Sequence, residues 1–355
     1  MSRLSAITQY GQQIWLDNLS RHLIESGRLA QWLSEDNIAG VTSNPAIFYN
    51  AISKDAAYQD DLARLKQSEP DTERRFEKLV LPDVRATADL LLPLYTSSKA
   101  DKGYVSFEVS PTLANDAEGT IAAAKRLWAE IGKPNVMIKI PATKAGIVAI
   151  EESIAAGINI NVTLMFSPQH VHDVFGAYIR GLQRRADAGL PIDQIRSVAS
   201  IFISRVDSLV DKSLPAAGQH LQGKIAIASA KDAYAAWQKT FGGEAFAALR
   251  AKGGRPQTPL WASTGTKNPA YRDVMYVEEL IGADTVNTVP DATMAAFADH
   301  GEARASLTEQ MDVAQQQLTE LAALGLDLNQ LGEQLQQEGL KQFDEAFEKL
   351  IALVA

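Results

Sequence analysis

The sequence predicts a (β/α)8 TIM barrel, with extra helices between strands 2 and 3 and between strands 6 and 7, and with a helical C-terminal extension. Two observations carry this. Eight short apolar runs alternate with segments of helical periodicity, the pattern of parallel βαβ units. Eight is also the number that closes a barrel, and no G-x-G-x-x-G follows the first run, as a dinucleotide-binding open sheet would require. The chain has 355 residues, 46% hydrophobic and 22% charged, values of an ordinary globular protein. No low-complexity linker or true repeat divides it. We read residues 1–355 as a single barrel domain, with 306–355 as helices packing on the barrel.

Residues 12–17, QQIWLD, form the first strand and end in Asp17. A helix over residues 21–35 follows, then a second strand over 38–43 and Asn44-Pro45. Residues 46–102 are a mostly helical insertion, in which the charged segments 60–66 and 73–78 look like solvated faces. The third strand, 103–109, carries Glu108. The helix after it, 116–131, has Asn115 as its expected N-cap and Gly132 as its stop. Pro134 and Pro141 bound the fourth strand, an apolar run of Val136, Met137, Ile138 and Ile140 interrupted by Lys139. Ile147, Ile150 and Ile154 mark the next helix, stopped by Gly157.

The fifth strand, 158–166, contains Asn161 and Thr163. Ser167-Pro168 opens a helix with a capping residue and a proline at the first helical position. The sixth strand, 197–204, precedes Arg205. A helical excursion containing KIAIASAKDAYAAW leads to the seventh strand, 259–263, and the loop TGTKN. A helix is expected from Pro269 through Ile281, then the eighth strand, 284–289. In the last helix Leu340, Phe343, Phe347, Leu350, Ile351 and Val354 keep helical spacing for only two heptads, so they are expected to pack on the body and not to form a coiled coil.

The formal net charge is −9 and cysteine is absent. An acidic chain makes nucleic acid an unexpected partner, and no thiol or disulfide chemistry is available. No run approaches the ~20 apolar residues of a membrane span, and residues 1–15 lack the apolar region of a secretory signal. The expected location is cytoplasmic. The five histidines show no metal-binding spacing: His170 and His172 point in different directions on a helix, and H-E-x-x-H is missing. No metal is therefore expected, and chemistry through an imine would need no organic cofactor.

Lys139 is the residue that needs explaining. Burying an ammonium costs several kcal/mol unless it is paired or loses its proton. One reading is a strand-end lysine whose head reaches water. The other is an amine that attacks a carbonyl to form a Schiff base. The company it keeps favours the second. Asp17 ends the first strand, Asn44 follows the second, and Glu108 is late in the third. Asn161 and Thr163 lie in the fifth, Ser200 and Arg205 flank the sixth, and Ser263 ends the seventh. In a barrel these positions converge on the C-terminal mouth, where such folds place their chemistry. Each has a structural reading of its own: Asp17 as a helix cap, Asn44 as a turn former, Asn161 as a satisfied core amide. As a set they suit carbonyl chemistry through an imine, with Asp17 and Glu108 as general acid and base. Carboxylates too close to an ammonium would hold its proton, so neither is expected as a tight ion pair with Lys139. Arg205 and Lys267 form the expected phosphate clamp, with Lys267 assisted by the amides of a helix starting near Pro269. Lys144, at a helix start, and Lys224 and Lys231, in the excursion, lack a strand-end placement.

Six motifs then resemble the transaldolase family in its longer bacterial form: VTSNPAIF (41–48), VSFEVSP (105–111), VMIKIPAT (136–143), INVTLMFS (160–167), ASIFISRVD (199–207) and WASTGTKNP (261–269). They occur in this order, each at a strand end, and the resemblance covers nearly the whole chain. It implies that Lys139 is the Schiff-base lysine, and that Asp17 handles the C4 hydroxyl during C3–C4 cleavage. Glu108, with a water held by Thr163, is implied as the proton relay. Asn44 and Asn161 would hold substrate hydroxyls, Thr42 and Ser106 would line the pocket, and Ser200 and Arg205 would bind phosphate. The family commonly has an arginine after the seventh strand. This sequence has STGTKN there, which makes Lys267 the candidate replacement. The C-terminal helix is implied to lie over the barrel mouth.

The expected activity is transfer of a dihydroxyacetone unit from sedoheptulose 7-phosphate to glyceraldehyde 3-phosphate, in the non-oxidative pentose phosphate pathway. Partners are phosphorylated sugars, without nucleic acid or membrane, and homodimer and monomer are both left open. Two rivals stand beside it: a Schiff-base aldolase of the fructose 6-phosphate type, which would release free dihydroxyacetone, and a non-catalytic sugar-phosphate-binding barrel. A fused phosphosugar isomerase is not expected from the length.

Overall fold

The computed structural model describes residues 2–355. Eight parallel strands close into a barrel in sequence order, the first pairing with the last. They are β1 (Gln12–Asp17), β2 (Ile38–Thr42), β3 (Tyr104–Glu108), β4 (Val136–Pro141), β5 (Ile160–Met165), β6 (Ser197–Phe202), β7 (Thr258–Ala262) and β8 (Thr285–Val289). All eight expected strands are present. Several are one or two residues shorter at their ends, because ladder pairing stops before the apolar run does.

Register fixes which residues share the barrel interior. Paired residues of adjacent parallel strands present the same face, and that face recurs every second residue. Glu108 pairs with Lys139, and Lys139 with Asn161. Asp17 pairs with Thr42, and Pro141 with Thr163. One turn of pleat nearer the N-terminal ends lies an apolar layer that includes Trp15, Tyr104, Met137, Val198 and Val286. Trp15 and Tyr104 are stacked, their ring centroids 6.4 Å apart. Gly40 makes room for this layer: a Cβ there would meet Trp15 Cδ2 at 2.4 Å.

The helical insertions stand where expected. Between β2 and β3 lie helices Pro45–Lys54, Gln59–Ser68 and Thr72–Ser97, and between β6 and β7 helices Ile225–Gly242 and Glu244–Ala251. Two helices, Met311–Ala323 and Leu328–Val354, form the C-terminal extension. The second buries Leu340, Phe347, Leu350 and Val354.

Four local expectations are corrected. The helix over 21–35 is two helices, Arg21–Glu25 and Arg28–Glu35, because Gly27 takes a left-handed φ of 76° between them. The cap of Ala117–Ile131 is Asp116, whose carboxylate accepts from the Gly119 amide at 2.9 Å. The helix expected from Pro269 is only Met275–Glu278, preceded by turns in which Asn268 Oδ1 accepts from the Ala270 amide. The segment 73–78 is not a solvated face, because Arg75, Phe76 and Glu77 are buried. Glu77 accepts from Arg126 at 2.7 Å, which holds the insertion to the helix after β3. Lys231 is also buried, and its Nζ donates to the carbonyls of Ser306 and Glu309, pinning the start of the C-terminal extension to the excursion.

Candidate active site

The C-terminal mouth of the barrel holds a cavity of about 240 Å³ lined by Asp17, Thr42, Asn44, Lys139, Thr163, Ser200, Arg205, Ser263 and Lys267, together with Thr288 and Phe343. Nine of the twelve residues singled out in the sequence therefore share one space. Lys139 is 6% exposed. Its Nζ donates to the Ser43 carbonyl at 3.1 Å and lies 3.4 Å from Glu108 Oε2. The expectation of a looser arrangement is corrected for Glu108, which contacts the amine directly. The strand register places it there, since Glu108 and Lys139 are Cα partners on adjacent strands. That contact lacks hydrogen-bond geometry, and Glu108 Oε2 has no hydrogen-bond partner among the described residues. Burial pushes the Glu108 carboxyl up to about 7, against the pull of the Lys139 ammonium.

Asp17 enters from β1 and no ion pair joins it to Lys139 among the described residues. Its Oδ1 accepts from Thr42 Oγ1 at 2.7 Å, and Thr42 Oγ1 lies 2.6 Å from Thr288 Oγ1. Burial raises the Asp17 pKa, opposed first by Lys139 and then by the Thr42 hydrogen bond. A carboxyl so placed can exchange a proton with a substrate hydroxyl while Thr42 holds its orientation.

Ser106 and Asn161 lie beside this cavity and do not line it. Ser200 Oγ donates to Asn161 Oδ1 at 2.7 Å, and Asn161 Nδ2 donates to Ser106 Oγ at 2.9 Å. All three are buried, so this chain fixes the wall beneath the amine. Asn44 caps helix Pro45–Lys54, its Oδ1 accepting from the Ile47 amide at 3.0 Å. Thr163 Oγ1 is buried without a hydrogen-bond partner.

Elsewhere in the cavity lining, Arg205 carries a buried Nη1 with no hydrogen-bond partner among the described residues. Its guanidinium sits over the Phe202 ring at 5.4 Å, and burial lowers its pKa. Unpaired buried charge is costly, and an anion in the cavity would relieve that cost with charge-assisted hydrogen bonds. Ser263, at a φ of 55°, turns the chain after β7, and its Oγ lies 3.0 Å from Ser204 Oγ. Lys267 reaches the cavity from an exposed loop. The turns around Pro269 remove the helix terminus expected to assist it. Among the described residues, no three His, Cys, Asp or Glu side chains gather as a metal-holding group, and no described helix is long and apolar enough to cross a membrane.

The family model described as transaldolase/fructose-6-phosphate aldolase matches residues 14–354. The chain belongs to the transaldolase/fructose-6-phosphate aldolase family. It is 53% identical over 352 residues to a transaldolase of Neisseria meningitidis serogroup C, covering 99% of each chain. It is 49% identical to a transaldolase of Thiobacillus denitrificans, covering 98% of each. A Streptomyces coelicolor protein named transaldolase 1 is 44% identical, over 99% of this chain and 93% of its own. The coverage places the whole barrel and the C-terminal helices of this family member within the match.

Among the residues of the mouth that sequence reasoning missed are Thr288 and Phe343. Thr288 obeys the same strand-end rule as Ser200 and was within reach of it. Phe343 was read only as packing. Its ring centroid lies 5.7 Å from Lys139 Nζ, an approach between elements some two hundred residues apart that no local pattern encodes. The helix bearing it is docked by Gln336 Nε2, which donates to the carbonyls of Ala142 at 2.9 Å and Leu164 at 3.1 Å. Gly332 and Gly339 permit the close approach, since a Cβ at these positions would meet Ser167 Cβ at 2.5 Å and Leu164 Cδ2 at 2.9 Å.

Proposed function

We propose that this protein is a transaldolase that moves a dihydroxyacetone unit from sedoheptulose 7-phosphate to glyceraldehyde 3-phosphate in the cytoplasm. The observation that carries the reading is a buried amine, Lys139, opening onto a cavity shared with Asp17 and with the unpartnered guanidinium of Arg205.

In this mechanism Lys139 Nζ attacks the donor ketone, and the carbinolamine loses water to give an iminium. Glu108 supplies and removes the protons of those steps, working through a water held by the Thr163 hydroxyl. Asp17 takes the proton of the C4 hydroxyl. The C3–C4 bond then breaks, its electron pair flows into the iminium, and erythrose 4-phosphate leaves as the aldehyde. The enamine left on Lys139 adds to the acceptor carbonyl, Asp17 returns the proton, and hydrolysis releases fructose 6-phosphate. The iminium is the electron sink, so the chemistry calls for no cofactor. Arg205, with Ser200, Ser263 and Lys267, holds the substrate phosphate. Asn44 supplies a hydrogen bond to substrate hydroxyls, and the Thr42–Thr288 pair orients Asp17.

An aldolase that releases free dihydroxyacetone uses the same lysine. The two are separated by incubating the protein with fructose 6-phosphate, with and without erythrose 4-phosphate. Sedoheptulose 7-phosphate formed only with the acceptor, and little free dihydroxyacetone, is the transaldolase result. Release of dihydroxyacetone at an equal rate without acceptor contradicts it.

A further inference from the structure

A second cavity, of about 610 Å³, opens at the N-terminal end of the barrel. The apolar layer of Trp15, Tyr104, Met137, Val198 and Val286 forms its ceiling and separates it from Lys139. This end of such a barrel ordinarily serves stability. Here it is neither filled nor neutralised. Lys102, Arg196, Arg250 and Arg255 line it against only Asp101 and Asp284, in a chain whose net charge is −9. None of the four cations forms an ion pair among the described residues. Arg196 donates only to carbonyls, at 2.7 Å to Asp193 and 2.9 Å to Ile195, and Arg250 donates to the Phe241 carbonyl. Among the described residues, the side chains of Lys102 and Arg255 have no hydrogen-bond acceptor. Like charges around one concavity repel each other and focus a positive potential into it.

The remaining lining fits an organic anion better than a bare ion. Trp237 offers an indole face, stacked on its other side against Tyr234 with ring centroids 5.4 Å apart. The volume lies within the range of small-molecule sites, about 300–1,000 Å³.

We propose that this cavity is a second binding site, distinct from the one at Lys139, for a phosphorylated small molecule. Arg196, Arg250, Arg255 and Lys102 hold the phosphate, and Trp237 meets the organic part. The ceiling couples it to the mouth: Trp15, Met137, Val198 and Val286 stand two residues before Asp17, Lys139, Ser200 and Thr288 on their strands.

The second site is independent of the chemistry at Lys139, so its test is run without Arg205, the residue assigned to hold phosphate at the mouth. Calorimetric titrations with pyrophosphate, AMP and glycerol 3-phosphate are run on the full chain carrying Arg205→Ala, then on the same chain with Lys102→Glu and Arg255→Glu added. Neither of these two side chains makes a hydrogen bond among the described residues, and Lys102→Gln with Arg255→Gln gives a milder second pair. The expected result is one-to-one binding of at least one probe to Arg205→Ala, weakened by about tenfold or more on charge reversal. The probe that binds most tightly identifies the ligand as an inorganic phosphate, a nucleotide or a sugar phosphate. Absence of binding at millimolar concentrations of all three, or affinity changed by less than that factor, overturns the proposal.

Discussion

Glu108 Oε2 stands 3.4 Å from Lys139 Nζ, both side chains nearly excluded from solvent. The two are Cα partners on neighbouring strands, so the ladder itself sets the contact. Burial has raised the Glu108 carboxyl to about 7, where it can give and take protons at neutral pH. Glu108→Gln keeps the shape and removes the exchangeable proton. Turnover is expected to fall by about 10²–10⁴-fold, the usual worth of a general acid–base group. The wild-type pH–rate limb near 7 should vanish with it in steady-state assays from pH 5 to 9. A limb that persists in the variant would belong to another group.

Arg205 and Lys267 differ in how they are held. Arg205 is half-buried with an unpartnered Nη1, whereas Lys267 is exposed. Arg205→Ala should raise KM for phosphorylated substrates by about 10- to 150-fold, the loss of a charge-assisted contact of about 1.5–3 kcal/mol. Lys267→Ala should raise it only a fewfold, because exposed charge is screened. Lys267→Arg should retain or improve binding, since a guanidinium adds a second donor to phosphate. Equal losses from both alanine variants would contradict the ranking.

Arg75 holds the end of helix Leu328–Val354, which carries Phe343. Its Nη1 donates to the Val354 carbonyl at 2.8 Å and the Ala355 carbonyl at 3.1 Å, and its Nη2 donates to the Glu69 carbonyl at 2.9 Å. Helix-terminal carbonyls have no partner within their own helix. Arg75→Ala should cost about 1–3 kcal/mol in denaturant melts. It should also speed amide exchange over the last turns of helix Leu328–Val354, ahead of the barrel strands. Unchanged exchange there would show that side-chain packing alone secures the helix.

Asp207 is a buried carboxyl away from the mouth. It accepts from the Ala226 amide at 2.7 Å and the Tyr276 hydroxyl at 2.8 Å, and burial pushes its pKa up to about 7. A carboxyl whose folded pKa is raised binds more protons folded than unfolded between its ordinary value and about 7. Its contribution is therefore fully present at low pH and is lost as pH rises through that window. Asp207→Asn can keep both hydrogen bonds without the charge. Urea melts at pH 5 and pH 8 should show the wild type losing more stability on going to pH 8 than the variant, by on the order of a kcal/mol or more. Parallel pH dependence would place the titration elsewhere.

Much of this was legible in the residues because period and position carry it. Alternating apolar runs and helical stripes disclosed eight strands, and strand ends disclosed Asp17, Glu108, Lys139 and Ser200. Those features are local, and the barrel turns them into proximity. What was not legible depends on long-range packing or on short turn chemistry. Phe343 reaches Lys139 only because Gly332 and Gly339 let a distant helix settle on β5 and its following turn. The charged run at 73–78 looked solvated because pattern reading does not see Arg126 arriving from another helix. Pro269 suggested a helix start, yet the following residues fold into turns, leaving Lys267 on a loop. The helix over 21–35 breaks at Ser26-Gly27, a stop signal that helical periodicity spans without registering.

The central claim is that Lys139 forms the imine. It is tested by incubating the protein with fructose 6-phosphate and borohydride, then locating the reduced adduct by peptide mass spectrometry. The expected result is one dihydroxyacetone-derived adduct on Lys139, absent from Lys139→Ala, with Lys144 and Lys231 unmodified. No adduct on Lys139, or an equal yield in Lys139→Ala, would contradict the account.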